Sequence, residues 1–112
     1  MTLFLLICAH SLCDFPLQAD FLARAKNHRA PVAAANGQPF PWWIALGAHA
    51  TIHGGAVTLV TGSLALGVAE TAAHAVIDYA TSAGKTGGYV GDQALHLACK
   101  VLWWALLVGA TA

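Results

Sequence analysis

Polar side chains recur at every fourth residue along four stretches of an otherwise apolar chain. The members of these polar stripes are His10 and Asp14, His49 and His53, Glu70, His74 and Asp78, and Asp92, His96 and Lys100. Positions four apart lie one turn apart on the same face of an α-helix, so each stretch predicts a helix with one polar stripe. Imidazole and carboxylate groups bind transition metal ions and transfer protons in catalysis. The pattern therefore indicates metal or acid–base chemistry between facing helices.

The four stripes can be aligned in depth. In an antiparallel helix hairpin, the residue numbers of two facing positions always add up to the same sum, and half of that sum marks the middle of the turn. The sums for the polar residues here place these midpoints in the expected turns. This alignment predicts a middle layer made of Asp14, His49, His74 and His96. It places His10, His53, Glu70 and Lys100 one turn to one side, and Gln18, Asp78 and Asp92 one turn to the other. Asp14 has a competing interpretation, because Pro16 can end the helix and leave Asp14 as the N-cap of the next segment.

The middle layer predicts a metal centre. Three imidazoles and a carboxylate suit a divalent transition metal ion, with Zn²⁺ the first expectation, and helical bundles hold such ions between facing helices. The candidate ligands are Asp14, His49, His74, His96, His10 and His53. The candidate catalytic acids and bases are Asp78, Asp92 and Glu70, and the residues expected to orient the ligands are Gln18, Gln93 and Lys100. A buried Glu70–Lys100 ion pair is an alternative explanation for those two residues.

The composition places these helices in a lipid bilayer. Of 112 residues, 58% are hydrophobic and 9% are charged, with zero formal net charge, whereas a soluble domain carries about 25% charged residues. Zero net charge argues against nucleic acid as a partner, because nucleic-acid binding needs a basic surface. The three cysteines form no C-x-x-C motif, which argues against a disulfide framework or a cysteine-based zinc site.

The polar stripes predict one all-α domain over residues 1–112, a four-helix transmembrane bundle with a His/Asp core. The expected spans are residues 2–26, 42–60, 64–80 and 92–111, and the first helix is expected to kink at Pro16. Residues 27–41 and 81–91 form long loops, whereas residues 61–63 form a tight turn. The basic residues Arg24, Lys26, Arg29 and Lys85 border the long loops. The positive-inside rule therefore predicts cytoplasmic long loops and both termini outside.

The polar motifs, taken in order, resemble those of a known family. The segments His10-x3-Asp14-Phe15-Pro16-Leu17-Gln18, His49-x3-His53, His74-x3-Asp78-Tyr79 and Asp92-Gln93-x2-His96 together resemble the small bacterial and phage membrane proteins named domain of unknown function 3307. The resemblance covers nearly the whole chain and implies a helical fold in a bacterial inner membrane, with no assigned activity. A fainter similarity is to bacterial inner-membrane metal-dependent hydrolases, which also carry His and Asp in short helical motifs.

Three functions fit the pattern. The first is a metal-dependent hydrolase that acts on a membrane-associated substrate, because a bound metal ion lowers the pKa of water to about 7. The second is a non-enzymatic interaction or assembly protein whose small bundle is held together by the ion. The third is a path for ions or protons along the polar stripes, which at this chain length requires a homo-oligomer. Four protein ligands around the ion favour a structural role, and an open position favours catalysis.

Overall fold

Five helices account for most of the chain in the computed structural model, which describes residues 1–111. They are α1 (Thr2–Asp14), α2 (Ala19–Ala25), α3 (Trp42–Thr61), α4 (Leu64–Ser82) and α5 (Gly88–Thr111). Within the described residues there is no β-strand, and Ala33 and Pro39 form an isolated bridge in the loop that precedes α3. The prediction of an all-α fold is confirmed.

The four longer helices enclose a common interior. Helix α1 packs against α3 and α5, and α4 packs against the same two helices, while the short α2 packs against α3. The molecule is elongated, with extents of 53 × 27 × 21 Å. We call the end that contains Met1, the α3–α4 turn and Thr111 the terminal end. The opposite end, with the α1–α2 turn and the loops before α3 and α5, is the loop end. The predicted long loop over residues 81–91 is wrong, because α4 continues to Ser82 and α5 begins at Gly88, so that only residues 83–87 connect them.

The α3–α4 turn is built from the residues predicted for it. Gly62 adopts a left-handed conformation at φ +70°, which glycine reaches without the steric cost of a Cβ atom. The Ser63 hydroxyl then accepts a hydrogen bond from the Leu66 N–H group at 3.3 Å and caps α4. The tight turn at residues 61–63 is confirmed, and it fixes the register between the histidines of α3 and the polar residues of α4.

Helices α3 and α4 approach each other closely at two glycines. A Cβ atom on Gly54 would overlap Thr71 and the backbone of α4, and one on Gly67 would overlap Thr58 and the backbone of α3. Each threonine hydroxyl donates a hydrogen bond to the carbonyl oxygen four residues earlier in its own helix, at 3.0 Å. The threonines are thereby satisfied without spreading the two helices apart.

The chain turns sharply after α1. Pro16 has no N–H group to donate to the Leu12 carbonyl oxygen, and this oxygen instead accepts from the Leu17 N–H group at 3.1 Å. Helix α1 ends at Asp14, and α2 follows at an angle of 86°. Residues 15–18 therefore separate two helices within the segment predicted as the first span. Helix α2 begins after Gln18, so Asp14 is the last residue of α1 and is not the N-cap of α2.

Polar and apolar residues are distributed as in a membrane protein. Ten polar or ionisable side chains are buried, against eight hydrophobic ones, while large hydrophobic side chains are exposed along all five helices. Helices α3 and α5 are each long and apolar enough to cross a membrane, and α1 and α2 meet that criterion only as a bent pair. These features support membrane integration.

A small apolar cluster fills the interior at the terminal end. Its buried members are Leu6, Val57 and Trp103, which come from α1, α3 and α5. Each lies about one turn beyond a buried polar residue of the same helix, namely His10, His53 and Lys100. The polar interior therefore begins next to this cluster and extends towards the loop end.

Candidate metal centre

Four side chains from three helices converge in the interior. They are Asp14 at the end of α1, His49 and His53 on α3, and His74 on α4, and each offers an atom within 4.8 Å of the others. We call this set the first group. The Asp14 Oδ1 atom lies 2.9 Å from His53 Nε2, 3.2 Å from His49 Nε2 and 3.8 Å from His74 Nε2. All four residues are buried.

The geometry of the first group suits a tetrahedral metal ion. With zinc–nitrogen bonds of about 2.0–2.1 Å, two ligand atoms of a tetrahedral site lie about 3.3 Å apart. The distances from Asp14 Oδ1 to the three Nε2 atoms, 2.9 to 3.8 Å, bracket this value. The Nε2 atoms of His49 and His74 lie 3.1 Å apart. Three imidazoles and one carboxylate are a donor set typical of zinc and also of iron and manganese. The first group can therefore hold a metal ion.

A second group shares one residue with the first. It comprises His74, Asp78 and His96, all buried. The Nε2 atom of His96 lies 3.0 Å from Asp78 Oδ1, and the Nε2 atom of His74 lies 3.6 Å from Asp78 Oδ2. The same Nε2 atom of His74 faces Asp14 in the first group. Since one nitrogen lone pair binds one ion, His74 can serve only one of the two groups at a time.

The grouping differs in two respects from the predicted layers. The alignment placed His53 one turn away from Asp14 and placed His96 in the same layer as Asp14. In the structure, His53 belongs to the first group and His96 pairs with Asp78. The alignment treats side chains as points at the depth of their Cα atoms, whereas imidazole rings extend several ångströms along the helix axis. The His53 ring leans towards Asp14 and stacks on the His74 ring at 3.6 Å.

Glu70 accepts three hydrogen bonds. It lies next to the Nδ1 atom of His74, whereas Asp14 and Asp78 face the Nε2 atom. Its donors are His74 Nδ1 at 3.2 Å, Lys100 Nζ at 2.5 Å and Trp103 Nε1 at 2.5 Å. The predicted Glu70–Lys100 ion pair is confirmed, with both side chains 1% exposed. Glu70 therefore contacts His74 through the nitrogen that is not available to either group, and a hydrogen bond there directs Nε2 to serve as the ligand atom.

Other predicted residues surround Asp14. Gln93 donates a hydrogen bond to Asp14 Oδ2 at 2.8 Å, and its amide oxygen lies 3.0 Å from His10 Nε2. His10 itself lies 3.4 Å from Asp14 Oδ2 and is outside both groups. Gln18 donates to the backbone oxygen of Asp14 at 2.9 Å and does not reach its carboxylate. The second carboxylate oxygen of Asp14 is thus held by α5.

A cavity of about 360 Å³ opens beside both groups at the loop end. Its lining includes Asp14 from the first group and Asp78 from the second, together with Asp92 and Lys26. Asp92 accepts a hydrogen bond from the Thr81 hydroxyl at 2.6 Å. Glu70 is absent from the lining. Water or a small part of a substrate can therefore reach Asp14, Asp78 and Asp92 from this end.

Lys26 contacts the site, although the sequence pattern did not single it out. It was assigned only to the charged border of a loop, yet its Nζ atom lies 2.6 Å from Asp78 Oδ2. The polar stripes carry four carboxylates but only one ammonium group, that of Lys100. That imbalance indicated that a further basic residue should reach the site, because buried carboxylates need a compensating charge.

The buried charges around the two groups do not cancel. Four carboxylates face two ammonium groups, and with neutral histidines an excess of two negative charges remains. The carboxylates are those of Asp14, Glu70, Asp78 and Asp92, and the ammonium groups are those of Lys26 and Lys100. One divalent cation balances this excess, and burial of unbalanced charge in a membrane is costly.

Comparison with known proteins assigns no activity to these residues. A family model described as "Protein of unknown function (DUF3307)" matches residues 2–112. This match confirms the resemblance indicated by the motifs. No curated protein and no solved structure matches the chain.

Proposed function

The chain belongs to the DUF3307 family, for which no activity is described, and from this premise and the buried site we propose a metal-dependent membrane hydrolase. It binds one divalent transition metal ion, Zn²⁺ in the first instance, in the interior of a four-helix transmembrane bundle. The substrate is membrane-associated and approaches from the loop end. The observation that carries this proposal is the cavity that opens directly beside the metal-binding carboxylates.

The distribution of polar atoms supports four membrane spans. Helix α4 carries Glu70, His74 and Asp78, which lower its mean hydropathy, but all three side chains are buried and its outer face carries Val68 and Val76. Such a helix presents apolar atoms to lipid although its composition is mixed. Helices α1 and α2 act together as one broken span.

The basic residues support an orientation in a bacterial inner membrane. Arg24, Lys26, Arg29 and Lys85 lie at the loop end, in or beside the loops that precede α3 and α5. The positive-inside rule then places both loops in the cytoplasm and both termini outside. The cavity faces the cytoplasm in this orientation.

Carboxylates at the cavity supply the proton transfer that hydrolysis requires. Asp78 and Asp92 both line the cavity, so either can accept a proton from a water molecule that the metal ion activates. Asp14 serves as a ligand through Oδ1, which faces the histidines. Glu70 faces away from the cavity and acts on the ligand His74 instead.

A second candidate function follows from the completeness of the first group. Asp14, His49, His53 and His74 can fill all four positions of a tetrahedral ion, and closed sites of this kind are structural. The ion would then hold α1, α3 and α4 together in a non-enzymatic interaction or assembly protein. The ion-conducting alternative has less support, because the apolar cluster closes the interior at the terminal end.

Metal content tests the site. The chain is purified in detergent and its bound metal is measured by mass spectrometry of the elements. We expect about one transition metal ion per chain, and we expect His49→Ala and His74→Ala to lose most of it, because each removes a ligand from the first group. His28→Ala is the matched control, since His28 stacks on Tyr79 outside both groups. A wild-type chain without metal, or full metal content in both ligand variants, contradicts the proposal.

Coordination and activity separate the two candidate functions. Azide added to the Co²⁺-loaded chain should shift its visible absorption if only three of the four first-group residues are ligands and water holds the fourth position, as the hydrolase requires, and should leave it unchanged if all four are ligands. The activity assay incubates the loaded chain with inverted bacterial inner-membrane vesicles and detects hydrolysis products by mass spectrometry. We expect products from the wild type and a loss of at least tenfold for Asp78→Asn or Asp92→Asn. Four protein ligands and no product would favour the structural function.

A further inference from the structure

We propose that the Lys26 ammonium group takes the place of a second metal ion beside the first group. This inference rests on the proposed metal site and adds a statement about its stoichiometry. The second group, His74, Asp78 and His96, has the ligand types of a metal site. His74 serves the first group, and Lys26 keeps the remaining two residues, Asp78 and His96, from binding an ion of their own, so the protein holds one ion.

The ammonium group contacts the carboxylate that a second ion would need. Lys26 Nζ is 2.6 Å from Asp78 Oδ2. The same oxygen lies 3.6 Å from His49 Nε2 and 3.6 Å from His74 Nε2, while Asp78 Oδ1 lies 3.0 Å from His96 Nε2. Lys26 thus occupies the one carboxylate oxygen that joins the two groups. An ion bound by Asp78 would therefore lie next to a positive charge held on the same carboxylate, or would have to displace it.

The backbone holds Lys26 in this position. Lys26 is the C-cap residue of α2, and its side chain is 16% exposed while that of Asp78 is 4% exposed. The 86° turn between α1 and α2 brings the end of α2 back towards α4. The ion pair therefore links the end of α2 to α4.

The charge balance leads to the same conclusion. With neutral histidines, the site has an excess of two negative charges, which one divalent ion neutralises. A second divalent ion would leave two uncompensated positive charges among buried groups, which is unfavourable in a membrane. Replacement of Lys26 by a neutral residue removes one of them and frees Asp78 Oδ2 as a ligand. Asp78 and His96, which lie 3.0 Å apart beside the cavity, can then bind a second ion whose other positions are filled by water, while His74 stays with the first group.

The test counts ions per chain. Wild type, Lys26→Met, Lys26→Arg and Lys85→Met are equilibrated with excess Zn²⁺ in detergent, separated from free metal by gel filtration and analysed for zinc. We expect one ion in the wild type, two in Lys26→Met, one in Lys26→Arg, which retains the charge, and one in Lys85→Met, which removes an exposed lysine from the loop. Lys26→Gln provides a second neutral variant if Lys26→Met does not fold.

The location of the added ion is tested by a double variant. Lys26→Met combined with His96→Ala should return to one ion, because His96 is a ligand only in the second group. A neutral Lys26 variant that stays at one ion overturns this inference and leaves the proposed function intact. A wild type with two ions does the same. A wild type with no ion overturns the proposed function and this inference with it.

Discussion

Glu70 illustrates how one residue can support a metal centre without touching the ion. Its two carboxylate oxygens accept hydrogen bonds from α4 and α5, and its Oε1 atom also lies 4.0 Å from His53 Nδ1. A carboxylate next to the far nitrogen of a ligating imidazole fixes the ring and its tautomer. The single glutamate of the chain thus orients His74 while Lys100 and Trp103 orient the glutamate.

Glu70→Gln should weaken metal binding by about 10- to 100-fold, the usual effect of losing such a contact. The amide keeps the shape of the side chain but removes a negative charge and places N–H donors against Lys100 or Trp103. The zinc dissociation constant is measured by competition with a chromophoric chelator. Asp20→Asn is the control, because Asp20 pairs with Arg24 on the surface. Equal affinity of Glu70→Gln and wild type would contradict this orienting role.

Residue types and spacing indicated which side chains face the interior but could not specify their partners. The predicted ligands His49 and His74 lie within hydrogen-bond distance of each other. Lys26 escaped the prediction because its contact with Asp78 spans 52 positions of the chain and depends on the turn after α1. A periodic pattern describes one helix at a time, and it carries no information about the path of the chain between helices.

At the level of elements, the α3–α4 hairpin positions most of the site. It supplies three of the four residues of the first group, namely His49, His53 and His74. The glycines at positions 54 and 67 let the two backbones come within direct contact, which brings the imidazoles of both helices together. Small residues are the usual means of close helix approach in membranes.

Gly54→Ala should destabilise the protein by about 1–3 kcal/mol, the usual cost of overpacking. The added methyl group would overlap Thr71 and the Gly67 carbonyl oxygen. Gly55→Ala is the matched control in the same helix, because nothing lies within 4 Å of its Cβ position. It should raise stability by about 0.5–1 kcal/mol through reduced backbone freedom of the unfolded chain.

The measurement for both glycine variants is thermal unfolding in detergent, followed by circular dichroism. A melting temperature of Gly54→Ala at or above that of the wild type would show that the hairpin tolerates a wider spacing. We also expect weaker zinc binding by Gly54→Ala, since a wider spacing separates His49 from His74.

Element boundaries were predictable where local chemistry sets them. Gly62 and Ser63 end one helix and cap the next, and both roles are evident from residue type. The fate of the segment after Pro16 was less predictable. Proline removes one helical hydrogen bond whether the helix bends or stops, so the residue alone does not predict which of the two occurs. In the structure the chain turns by 86°, and α2 packs against α3.

The whole molecule is polar inside and apolar outside. Lys100 is 1% exposed, whereas Leu59 is 88% exposed. Such an arrangement would aggregate in water, because extended apolar patches associate there. In a bilayer, the same surface contacts acyl chains, and the ionisable groups pair with one another in the interior.

Cysteine labelling tests the proposed orientation. In a background with Cys8, Cys13 and Cys99 changed to alanine, Lys85→Cys should react with a membrane-impermeant maleimide in inverted vesicles and not in spheroplasts. Thr111→Cys should behave in the opposite way, because Lys85 precedes α5 and Thr111 is its last residue. The reverse pattern would overturn the orientation, and labelling of both from one side would show that α5 does not span.

The cavity and the apolar cluster also divide the molecule electrically. In the proposed orientation, water in the cavity keeps the metal-binding groups close to the potential of the cytoplasm, and the transmembrane voltage falls across the interior packed around Leu6, Val57 and Trp103. A charge that does not cross this packed region does no work against the voltage. A metal ion that enters from the cytoplasm would therefore bind with an affinity that does not depend on the transmembrane voltage. The occupancy of the metal site would follow the activity of the metal ion in the cytoplasm.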